Sequence, residues 1–73
     1  MKLALCKHLN LDPKKPLTAN VVWDGNVINF IKVMDGKTTY HLYSGTPEFN
    51  IAKPLFGINE RIKTPNFTYK IEG

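Results

Sequence analysis

Cys6, His8 and His41 are the residues of this chain best suited to bind a metal or attack a substrate. A structural zinc site takes four ligands, ordinarily as two close pairs, and Cys6-Lys7-His8 is the nearest approach to one pair. No metal is therefore expected. Nucleophilic catalysis would need a base beside Cys6 and a third group to orient that base, and no recognisable motif surrounds the cysteine. A chain this short also rarely encloses a substrate pocket of several hundred cubic ångströms. Cys6 is expected to be an inert buried thiol, and neither enzymatic activity nor a cofactor is expected. Asp12, Asp24 and Asp35 fall in turns or before proline, where local hydrogen bonding accounts for them.

The elements that would position such groups are few. Seventy-three residues, 42% apolar and 22% charged, predict one small globular domain across residues 1–73. Ten Lys/Arg against six Asp/Glu give a net charge of +4. Each half, 1–36 and 37–73, holds five bases against three acids, so the charge permits an acidic partner without concentrating it in one segment. A single cysteine makes no internal disulfide and points to a reducing cytoplasm. Leu3-Ala4-Leu5 before Cys6 has the outline of a lipoprotein signal, but the apolar run is too short for one. No run approaches the length of a membrane span.

Turn signals organise the chain. Asp24-Gly25 and Asp35-Gly36 each separate apolar, β-branched runs, the pattern of tight hairpins, and predict a three-strand meander over 17–23, 26–34 and 37–43. Thr46-Pro47-Glu48 reads as a helix start, which Pro54 restricts to one or two turns at 47–52. Residues 59–63 form another helical turn or an irregular link, and alternation of Phe67, Tyr69 and Ile71 predicts a last strand at 66–72. Residues 1–11 fit a helix or an interrupted strand. The expected fold is α+β and mainly β: a small antiparallel sheet of four to five strands with a short helix, either open or closed into a partly open barrel.

Two-residue loops at both Asp-Gly steps would fix the faces. Leu17, Ala19, Val21, Trp23, Ile28, Phe30, Met34, His41 and Tyr43 would share the core side. Thr18, Asn20, Val22, Val27, Asn29, Ile31, Val33, Thr38, Tyr40 and Leu42 would share the other. A bulge would reverse one strand's assignment.

Surface presentation is the remaining route to function. For nucleic acid, Lys14, Lys15, Lys32, Lys37, Arg61, Lys63 and Lys70 would line a basic track, with Tyr40, Tyr43, Phe49, Phe56 and Tyr69 as stacking surfaces. The single arginine and the dispersed lysines favour a protein partner instead. In that reading the proline-stiffened Asp12–Pro16 loop is the contact segment, because its charge is exposed and its backbone already restricted.

The opening Met1-Lys2-Leu3-Ala4-Leu5-Cys6-Lys7-His8 and the Pro13-Lys14-Lys15-Pro16 loop, in a small basic β-rich chain, resemble the small phage-encoded transcription regulators that bind host RNA polymerase, as in a Xanthomonas phage. The resemblance implies a monomeric, non-catalytic protein in the host cytoplasm that inhibits initiation or promotes antitermination. Under it, Lys2, Lys7, His8, Lys14 and Lys15 would meet the protein partner, and Arg61 and Lys63 would face RNA or DNA. A directly nucleic-acid-binding domain and an anti-defence inhibitor of a host enzyme are the alternatives.

Overall fold

The computed structural model describes residues 2–72. Its elements run α1 (Lys2–Leu9), β1 (Leu17–Asp24), β2 (Val27–Met34), β3 (Thr39–Tyr43), α2 (Pro47–Phe56) and β4 (Thr68–Ile71). The strands form one antiparallel sheet in the order β3-β2-β1-β4. β3 and β4 are its two edges, so the sheet stays open instead of closing into a barrel.

The N-terminal segment is the helix of the two alternatives. It ends where Asn10 takes a left-handed φ of 58° and the Leu11 N–H donates to the Cys6 carbonyl at 2.8 Å. This bond satisfies a carbonyl that the terminating helix would otherwise leave unpaired. At α2, the Thr46 hydroxyl accepts the Phe49 N–H at 3.3 Å and Pro47 begins the helix, as its residue types predict. The helix does not stop at 52, however. Pro54 lies inside it, and the chain continues to Phe56 before Gly57, at φ 71°, closes it. Proline removes one hydrogen bond near the helix end, whereas continuation buries Phe56 on the same side as Phe49 and Ala52. Burial outweighs the local preference. Residues 59–63 are the irregular link, tightened where the Ile62 and Arg61 N–H groups donate to the carbonyl and side-chain oxygens of Asn59.

Both hairpins form, with loops other than those expected. The β1–β2 loop is Gly25-Asn26, since Asp24 pairs with Val27, and the left-handed φ of 63° at Gly25 suits its first position. The β2–β3 loop is the four residues 35–38, since Met34 pairs with Thr39. Each offset moves the register by two, so side chains keep their sides. A bulge does not: the pairing shifts between Trp23↔Ile28 and Val22↔Phe30, which leaves Asn29 as an extra residue on β2.

Everything in β2 and β3 beyond that bulge is inverted relative to the sequence expectation. Leu17, Ala19, Val21 and Ile28 face the core as expected, and Trp23 packs at its border. Ile31, Val33 and Leu42 are buried there too, while Phe30, Met34, His41 and Tyr43 occupy the opposite, open face. Leu5 and Cys6 of α1, Phe49, Ala52 and Phe56 of α2, and Ile58 complete the core. Both helices therefore cover one side of the sheet, and no helix among the described residues is long and apolar enough to cross a membrane.

Asp35 holds the 35–38 loop. Its carboxylate accepts the Thr38 N–H at 2.8 Å and the Lys37 N–H at 2.9 Å, and these bonds lower its pKa below the ordinary aspartate value of 3.8, with a further pull from Lys15. A lowered folded-state pKa contributes stability above the unfolded value that is lost as pH falls through the folded one. Asp35→Asn removes the titration but keeps an acceptor oxygen. The melting-temperature gap between wild type and Asp35→Asn should therefore shrink as the pH falls below about 4. A gap independent of pH would remove Asp35 from the loop's electrostatics.

Candidate binding surfaces

The candidate chemistry of Cys6 and the histidines is dispersed by the fold. Cys6 is buried on the helix side of the sheet, where burial pushes its thiol pKa up despite an opposing pull from Lys2. His41 lies on the other side of the sheet, its ring centroid 4.9 Å from that of Phe30. His8 is two residues from Cys6 on α1, a spacing that turns their side chains away from each other. Its Nδ1 stands 3.4 Å from a Glu48 carboxylate oxygen at the start of α2. Among the described residues, no three His, Cys, Asp or Glu side chains converge as a metal-ion cluster.

Several of the basic residues named from the sequence lie at the two ends of the sheet. Lys2 is a tie as well as a charge: its ammonium donates to the carbonyls of Lys15 at 2.9 Å and Glu72 at 3.0 Å. These bonds join the start of α1, the 12–16 loop and the end of β4. In that loop, the Asp12 carboxylate accepts the Lys14 N–H at 2.9 Å and the Asp12 carbonyl accepts the Lys15 N–H at 3.2 Å. Lys14 and Lys15 are thus exposed on a backbone already folded into a turn. Thr18 at the start of β1 pairs with Met34 at the end of β2, so the 35–38 loop with Lys37 belongs to the same end. Lys7 and His8 stand farther along α1, about 7–9 Å from Lys2 at 1.5 Å per residue. With Ala4 they line an open cleft of about 370 Å³. Leu3, 69% exposed, is one helical turn from Lys7 on this helix.

Arg61 and Lys63 are elsewhere. The Lys63 ammonium donates to the Gly25 carbonyl in the β1–β2 loop at 2.7 Å, which places it at the opposite end of β1 from Lys15. Eight strand residues, roughly 25 Å, separate the two ends. Lys14 and Lys15 therefore do not form one patch with Lys63. Two of the expected stacking residues are corrected as well. Phe49 and Phe56 are core side chains, and Tyr40 and Tyr69 are half-buried against that core.

The open face is the surface that the face assignment missed. Phe30, His41 and Tyr43 form one aromatic cluster, with centroid separations of 4.9, 5.2 and 6.5 Å. Lys32 lies directly beside His41 on one neighbouring strand and Asn20 on the other. The signal for the cluster was present in the sequence, because the β2–β3 relation already put these three rings on one side. What the sequence did not show was the bulge that turns that side outward. No protein-family model matches the chain, and neither a curated protein nor a solved structure matches it.

Proposed function

We propose that the protein is a non-catalytic regulator that binds another protein through the outer side of α1 and the 12–16 loop. RNA polymerase is the partner implied by the sequence resemblance, and transcription in a bacterial host cytoplasm is the process. The observation that carries the reading is the exposed Leu3 beside Lys7 and the Ala4–Lys7–His8 cleft. One apolar anchor with a cationic surround suits an acidic protein surface that offers an apolar recess. The prior ordering of Lys14 and Lys15 by their turn lowers the entropy lost on docking. Lys2 contributes by holding the loop against α1, and Arg61 and Lys63, at the far end, take no part in this contact.

Binding to purified bacterial RNA polymerase, followed by biolayer interferometry, tests the proposal. Wild type should bind, with affinity falling as salt rises. Lys14→Glu combined with Lys15→Glu should weaken binding by about tenfold or more, chiefly through slower association. Absence of wild-type binding would remove polymerase as the partner. Unchanged affinity in the charge-reversed variant would remove the loop from the interface.

A further inference from the structure

We propose that the open face of the sheet is a binding site for single-stranded nucleic acid, separate from the protein contact on α1. The three rings of Phe30, His41 and Tyr43 are contiguous, and Tyr43 is 52% exposed. Unpaired bases have free faces to stack on such rings, whereas bases in a duplex do not. One strand-repeat along β2 from Phe30, about 6.7 Å away, stands Lys32, placed to take a phosphate while a base rests on the rings. Its row continues through Asn20 to Thr68. The Asn20 amide donates to the Phe67 carbonyl at 3.1 Å and to the Thr68 hydroxyl oxygen at 3.0 Å, an arrangement that keeps its Oδ1 as an acceptor.

Charge selects this occupant over others. The strand residues of the open face carry Lys32 and Lys70, and one acid, Asp24, at the far corner. Glu72 stands 3.4 Å from Lys70 beyond the end of β4 and offsets that lysine, which leaves Lys32 as the central cation. A second copy laid face to face would set lysine against lysine. A polyanion with aromatic bases meets both the cation and the rings.

Fluorescence anisotropy of the purified full chain tests the site, using labelled oligouridine and oligothymidine of about 12 nucleotides, a hairpin duplex, and inorganic polyphosphate as competitor. At least one single strand should bind, the duplex about tenfold more weakly, with polyphosphate a poor competitor. The preference between uridine and thymidine strands identifies RNA or DNA as the source. Tyr43→Ala should weaken binding by about fivefold or more, Tyr43→Phe should retain it, and Lys32→Ala should reduce its salt dependence. Melting curves of the three variants check that the fold is intact. No single-strand binding, equal binding to duplex, full competition by polyphosphate, or unchanged affinity in Tyr43→Ala would each overturn the site. None of these results bears on polymerase binding, which uses the other side of the molecule.

Discussion

Ile31→Asp should leave the protein unfolded at neutral pH, whereas Tyr43→Asp should leave it folded. Ile31 is fully buried at the centre of the sheet, between Val21 and Leu42. Replacing it forfeits roughly 2–5 kcal/mol of packing, and placing a carboxylate among apolar side chains costs several more. A domain of this length has about 4–11 kcal/mol in total, by the usual 0.05–0.15 per residue. The sum is of the same size as that total and leaves the folded state little or no net stability. Tyr43 is half exposed on the open face, so an aspartate there stays hydrated and costs little. Circular dichroism and amide dispersion by NMR distinguish the two states. The same pair of variants decides which side of the sheet is the core: under the face assignment without a bulge, Tyr43→Asp would unfold the chain and Ile31→Asp would be tolerated.

Phe49→Ala should lower the melting temperature by an amount on the order of 12–40 °C. Phe49 is the largest fully buried side chain and packs α2 onto the core, with the Lys53 ammonium 5.3 Å from its ring centre. Truncation of a buried phenylalanine costs about 3–5 kcal/mol, and each kcal/mol is worth roughly 4–8 °C in a domain of this size. Loss of this contact also detaches the helix from its reason to run past Pro54, so the helical circular dichroism should fall with the melting temperature. Ile62→Ala provides the comparison. Ile62 is an exposed apolar residue in the irregular link, and its truncation should change stability by no more than about 0.5 kcal/mol. Equal effects at the two positions would contradict the placement of Phe49 in the core.

The two proposed surfaces lie on opposite sides of the sheet, which lets them be tested and lost independently. The α1 side joins an exposed leucine to cations on a braced loop. The open side joins aromatic rings to one central cation. A regulator of transcription has use for both kinds of contact, and the Lys14/Lys15 and Tyr43 variants separate them.

Local rules made much of the architecture legible. Glycines at turn positions, β-branched runs and alternation identify all four strands within two residues at each end. Thr46-Pro47 identifies the start of α2 for the reason that operates there: the threonine hydroxyl caps, and proline has no N–H to lose. The limits of local rules were equally specific. Pro54 favours termination on its own, but Phe56 has a core to enter, and that core is assembled from residues distant in the chain. Lys14 and Lys15 were legible as exposed because proline and Asp12 surround them. That Lys2 would be held to the Lys15 and Glu72 carbonyls depends on the meeting of the chain's two ends.

The amino-acid sequence by itself determined that the chain folds as a mainly antiparallel sheet with a short helix after the meander, and that Phe30, His41 and Tyr43 share a side. Only the tertiary structure decided which side. One bulge residue, Asn29, reverses the facing of every residue beyond it, because side chains alternate with a period of two. Both faces of β2 and β3 are rich in apolar residues, so hydrophobicity along the strands does not choose between them. The choice is made by the helices, whose buried Leu5, Phe49, Ala52 and Phe56 pack against Ile31, Val33 and Leu42 and leave the aromatic face to the solvent.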